Sequence, residues 1–223
     1  MPRQLTFDLP VRPALGRGDF FVSPANALAV AQVDAGDWPE GKLLLIGPEG
    51  AGKSHLAQVW AGENDAAVLS AGAVPEEAVE APAVVVEDAD RIAGDRAAET
   101  ALFHLHNHVL ARGGRLLVTA ASPPRNWGLC LPDLASRMEA TAVAEIAAPD
   151  DALLAAVLVK LFADRQIVVA PSLIQWLVRR MDRSFASARG LVADLDARAL
   201  ARGGPVTREM ARDALDLCSQ PGS

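Results

Sequence analysis

A chain of 223 residues, 51% hydrophobic, is long enough for one sizeable domain or two small ones, and its formal net charge is −7. That acidity excludes a protein that coats nucleic acid through a broad basic surface. Two cysteines, Cys130 and Cys218, are too few for a disulfide framework, and the start shows neither a secretory leader nor an apolar run of membrane-spanning length. A cytoplasmic protein with reduced thiols and no membrane contact is expected.

In chain order the first pattern is QLTFDLP, in which Leu5, Phe7 and Leu9 alternate with Thr6 and Asp8. An extended backbone puts those three apolar side chains on one side. Pro10, Pro13, Gly16 and Gly18 then interrupt any regular element, so residues 1–18 read as a flexible tail. Its pattern suits either an edge strand of the parent sheet or a segment for a groove on another protein. Short apolar runs bounded by turn residues follow at 42–47 (KLLLIG), 66–70 (AAVLS), 83–87 (AVVVE) and 115–120 (RLLVTA), with a weaker one at 141–146 (TAVAEI). Helical stretches fall between them. The first is placed at Lys53, the longest from about Asp95 to Arg112, and a short one from about Leu131 to Met138. This alternation predicts an α/β fold with a parallel five-stranded sheet flanked by helices. Beyond Pro149 only helical periodicity remains, in 150–165, 171–183, 184–204 and 207–218. Asp150, Ser184 and Thr207 are expected N-caps, and Gly203 with Gly204 ends the third of these helices. The expected division is an α/β nucleotide-binding domain over 19–149 and a small all-helical domain over 150–223.

The strongest chemical signal is GPEGAGKS, Gly47 to Ser54, which fits G-x-x-x-x-G-K-[ST] between a strand and a helix. In such a P-loop, formed here by Gly47, Pro48, Gly50, Ala51 and Gly52, the glycines let the backbone curl so that successive N–H groups face a phosphate. Lys53 supplies charge for the β- and γ-phosphates, and Ser54 a hydroxyl for Mg²⁺. ADP or ATP with Mg²⁺ is the expected cofactor. VVVEDAD adds Glu87 and Asp88 at a strand end, where an acid holds the metal and another orients water. The usual order, Asp then Glu, is reversed here, so slow intrinsic hydrolysis is expected.

GPEGAGKSHLAQ, VVVEDADRIAGD and LLVTAASPPRNWGLCLPDLASRM together resemble the DnaA-like AAA+ family, and within it the short Hda branch of regulatory inactivators; DFFVSPANALAV resembles the segment leading to that family's adenine pocket. The resemblance implies an AAA+ P-loop NTPase domain and a helical lid. It places Phe21, Val22 and Asn26 beside adenine and His55 next to the P-loop. Thr119 takes the polar position that senses the γ-phosphate, and Arg137 takes that of an arginine finger offered to a nucleotide on a neighbouring subunit. The family's lid arginine falls at Ala186, leaving Arg189, three residues on, or Arg183 as substitutes; with the reversed acids, this suggests a stable ADP-bound form. Gln4, Leu5, Phe7 and Leu9 match the Gln-Leu-x-(Leu/Phe)-x-(Leu/Phe) motif that binds the β subunit sliding clamp of DNA polymerase. The implied partners are DnaA and that clamp, with DNA reached indirectly through the clamp and head-to-tail self-association open. The chain ends near Ser223 without room for an origin-reading helix-turn-helix, so origin recognition is not expected.

The implied function is negative regulation of replication initiation, by stimulating conversion of DnaA-ATP to DnaA-ADP. The alternative is a DnaA-like, ATP-driven helicase loader. His104 and His108 share a helix face at i, i+4 but lack further metal ligands, so a solvated or partner-facing edge is expected. Leu173, Trp176 and Leu177 read as lid core, and the arginines of 178–180 as a solvated basic patch.

Overall fold

The structure, a computed structural model, describes residues 21–75 and 79–218, the last two by backbone alone. The tail motif Gln4, Leu5, Phe7, Leu9 lies outside the described residues. Five parallel strands form one sheet in the order β2-β3-β4-β1-β5: β1 Lys42–Ile46, β2 Ala67–Ser70, β3 Ala83–Glu87, β4 Arg115–Ala120 and β5 Ala142–Glu145. β1 lies between β4 and the edge strand β5, registered Leu44↔Val118 on one side and Leu44↔Val143 on the other.

Alternation along the strands divides the core in two. Leu43, Leu45, Val85, Leu117 and Ala144 face α1 (Ala27–Ala35) and α2 (Lys53–Glu63), while Leu44, Ile46, Val84, Val86, Leu116 and Val118 face α3 (Arg96–Ala111) and α4 (Pro132–Glu139). α1 corrects the expectation that the first helix begins at Lys53. Its sequence, ALAVAQVDA, is apolar nearly throughout, so no 3.6-residue stripe announces it. Beyond β5, four helices enclose a separate apolar cluster that includes Leu154, Leu158, Phe162, Leu177, Val192 and Leu195: α5 Asp151–Asp164, α6 Pro171–Val178, α7 Phe185–Arg202 and α8 Arg208–Cys218. The caps follow expectation. Asp150, Ser184 and Thr207 accept N–H bonds from Leu153, Ser187 and Met210, and Gly203 closes α7 in the left-handed region. α6 is shorter than its sequence stretch, stopping at Val178 and leaving 179–183 to turn into α7. No described helix is long and apolar enough to cross a membrane.

One buried acid organises the approach to α4. Glu99, 0% exposed on α3, accepts N–H bonds from Gly94 (2.9 Å), Cys130 (3.0 Å) and Leu131 (2.7 Å). Burial pushes its pKa up, but the three donors outweigh that and hold it below the ordinary glutamate value. Replacing one oxygen by an amide NH₂ sets donor against donor. Glu99→Gln is therefore expected to destabilise the protein by about 2–3 kcal/mol, a fall in Tm of roughly 4–12 °C by thermal circular dichroism.

Candidate functional site

At the carboxyl end of β1 the chain turns through Gly47–Gly52 into α2. Gly50 (φ 74°) and Gly52 (φ 101°) adopt left-handed conformations that favour glycine. Space forbids a side chain too: a Cβ on Gly50 would stand 2.5 Å from Ser184 Cβ, and one on Gly52 2.8 Å from the Phe185 ring. The start of α7 thus lies directly on this loop, and the Phe185 N–H donates to the Gly50 carbonyl at 2.9 Å. Ala51 is buried and its N–H donates to the exposed Pro48 at the carbonyl, tightening the curl.

Lys53, 8% exposed, opens α2 and reaches back to donate to the carbonyls of Gly47 (2.7 Å) and Pro48 (3.0 Å). Burial holds its pKa below the ordinary lysine value, partly offset by the negative charges of Asp88, Asp90 and Glu49. Ser54 is exposed in the same turn and His55 half-buried behind it.

Glu87 ends β3, with its Oε1 buried and without a hydrogen-bond partner among the described residues. A buried, unpaired carboxylate oxygen fits a hydrated divalent cation, which Ser54 would share. Asp88 follows in a left-handed conformation (φ 58°), its N–H donating to the Oγ1 of Thr119 at 3.1 Å. Thr119, fully buried near the end of the adjacent β4, thereby ties the two strand ends together. Arg91 went unnoticed in the sequence. It pairs with Glu49 of the loop and with Asp88, each at 3.5 Å, so Asp88 has a cationic partner already.

Asn26, 2% exposed, accepts from the Ser23 N–H and donates to the Phe21 carbonyl, fixing the turn that carries the exposed Phe21 and Val22. The Ala147 N–H donates to Ala25 O, so that turn sits just past the carboxyl end of β5, the same end of the sheet as the P-loop. On the lid, Ala186 lies exposed in the first turn of α7 and Arg189 is exposed one turn on, without an ion pair among the described residues. Arg183 pairs with Asp151 at 2.6 Å.

Arg137 stands apart from all of these. It occupies the last turn of α4, which descends from the end of β4 to the start of β5. Its charge is felt by Glu40 and His106, which neighbour Lys42 at the start of β1. β1 spans five residues, about 16 Å, so Arg137 and the P-loop sit at opposite ends of the sheet. Of the pair expected on one face of α3, His104 is exposed and His108 half-buried, while His106, off that face, is buried; no group of metal ligands exists among the described residues.

Gly50→Ala and Gly128→Ala separate backbone strain from steric conflict, since Gly128 has nearly the same φ (75°) but open space around it. Both are expected to lose roughly 1–3 kcal/mol from the left-handed backbone. Only Gly50→Ala should also weaken nucleotide binding, measured by isothermal titration calorimetry with Mg-ADP.

A comparison with protein-family models gave no match. Among solved structures, domain III of the Thermotoga maritima replication initiation protein DnaA superposes with a TM-score of 0.82 at 18% identity, covering 96% of this chain and 100% of its own. AMPPCP-bound DnaA from Aquifex aeolicus gives 0.74 at 16% identity, covering 92% of this chain and 71% of its own. Thermotoga maritima RuvB gives 0.62 at 15% identity, covering 85% and 65%. The sheet order, the glycine loop after β1 and the helices that follow give this chain a DnaA-like AAA+ fold.

Proposed function

We propose that this chain is an Hda-type regulator of replication initiation, which binds a nucleotide in its own P-loop and supplies Arg137 to ATP held by a neighbouring DnaA. Residues 19–149 serve as the nucleotide-binding domain and 150–223 as the lid. The observation that carries the proposal is the position of Arg137: exposed, and at the end of the sheet opposite its own P-loop. A cation there cannot serve its own phosphates, whereas it is free to meet those of a subunit stacked head to tail.

In the resident site, the Gly47–Ser54 loop N–H groups and Lys53 bind the phosphates, the Phe21–Asn26 turn flanks the base, and Thr119 and Arg189 lie toward the γ-phosphate. Ser54 and Glu87 would hold Mg²⁺, which would supply positive charge to neutralise the phosphate oxygens. Asp88 is short for positioning water and is paired with Arg91, which supports slow hydrolysis and a lasting ADP state. In the partner's site, the Arg137 guanidinium stabilises charge that develops on the transferring phosphoryl group, an effect of roughly 10³–10⁵ for such fingers. Gln4, Leu5, Phe7 and Leu9 would tether the regulator to the sliding clamp, and through it to DNA.

Hydrolysis of ATP by DnaA, with DNA and loaded clamp, is the decisive assay. Wild-type protein is expected to accelerate it, and Arg137→Ala to drop the rate to that of DnaA alone while leaving nucleotide binding intact. Arg137→Lys should fail as well, since an ammonium cannot present a planar fork. Fast hydrolysis by this protein without DnaA would instead identify a loader-type ATPase. Separately, surface plasmon resonance should show clamp binding that disappears when Gln4→Ala and Phe7→Ala are combined.

A further inference from the structure

Charge is divided unevenly along this acidic chain. Residues 1–149 carry 11 basic and 19 acidic side chains, whereas residues 150–223 carry 10 and 9. Within the helical part, several basic groups are neutralised in place: Lys160 by Asp164, Arg165 by Asp196, Arg183 by Asp151 and Arg198 by Asp194. Arg179, Arg180, Arg208 and Arg212 are exposed and take part in no ion pair among the described residues.

Two of these four share an aromatic platform. The Arg180 guanidinium lies 4.6 Å from the centroid of the Trp176 ring and that of Arg208 5.1 Å from it. Trp176 is half-buried against the lid core, so its ring is anchored. Arg180 also donates from Nη1 to the Trp176 carbonyl at 3.4 Å. Arg179 is next in sequence to Arg180, and Arg212 lies one turn from Arg208 on the same side of α8. Of the acids of that helix, Glu209 and Asp213 lie about 100° and 140° round from Arg208, while Asp216 lies one turn beyond Arg212 and forms no ion pair among the described residues. Asp182, the other acid close in sequence, sits in the turn after Arg180 and forms no ion pair among the described residues.

We propose that Trp176 with Arg179, Arg180, Arg208 and Arg212 forms a binding surface for the phosphodiester backbone of nucleic acid. Contact with a fixed indole restrains two guanidinium groups in advance, which reduces the side-chain entropy lost when each meets a phosphate. Because the two guanidinium groups already stack on the indole, the site reads phosphates and not bases, and binding is independent of sequence. An acidic protein segment is the competing occupant. The planar, bidentate donors of four arginines, two in the turn after α6 and two on α8, favour the polyanionic backbone. The proposal does not rest on Arg137 or on the P-loop.

The test is fluorescence anisotropy of the full chain with a fluorescein-labelled, mixed-sequence 25-base-pair duplex, its single strand and a labelled polyglutamate peptide of equal charge. Wild-type protein is expected to bind both nucleic acids, with duplex affinity falling roughly 50–100-fold between 50 and 200 mM NaCl, a log–log slope of about −3 for three or four neutralised phosphates. Arg180→Glu with Arg208→Glu should abolish binding. Arg112→Glu with Arg125→Glu, which changes the net charge equally but lies on the α/β part, should retain most of it. Arg180→Lys with Arg208→Lys should weaken binding severalfold while keeping the salt slope, because charge is kept and stacking is lost. Thermal denaturation and ADP binding of each variant confirm an intact fold. The proposal is overturned if wild type fails to bind at 50 mM NaCl, if both charge reversals act alike, or if polyglutamate binds as tightly as DNA.

Discussion

The direction of the sheet is the constraint on which everything else depends. All five strands run the same way, so every loop that follows a strand emerges at one end and every connection returns to the other. The P-loop after β1, the acids after β3 and the buried Thr119 of β4 therefore gather without any long-range design beyond register. The same rule sends α4 back down the sheet and leaves its last turn far from its own nucleotide loop. An arginine there is available to another molecule and not to this one.

Much of this was legible in the sequence because its causes are local. A buried parallel strand must be apolar on both faces, and KLLLIG, AVVVE and RLLVTA can be little else. The glycine loop was legible for the same reason, its φ angles being written in residue type. What escaped has distant partners. Glu99 looks like an ordinary helical glutamate, yet two of its three donors, at Cys130 and Leu131, lie more than thirty residues away. Arg91 reaches Glu49 across forty-two residues. The steric role of Ser184 and Phe185 against Gly50 and Gly52 likewise appears only when the lid is folded over the loop. Helix α1 escaped for the opposite reason: its composition is so uniformly small and apolar that no face stands out.

Electrostatics around the P-loop are balanced rather than simply positive. Burial holds the pKa of Lys53 below the ordinary lysine value, and Asp88, Asp90 and Glu49 offset part of that. Arg91 in turn moderates those acids from the outside. The site is thus a small alternating lattice of charges in which Glu87 holds a buried oxygen left unpaired among the described residues.

The hydrogen bond from Phe185 to Gly50 joins the first turn of α7 to the curl of the P-loop. Phosphate recognition and lid placement are therefore not separable quantities but two readings of one linked equilibrium. Whatever factor a lid position adds to nucleotide affinity, the nucleotide must return to the stability of that lid position. In the function proposed, an occupied loop would be linked to the four-helix end of the molecule through this backbone contact.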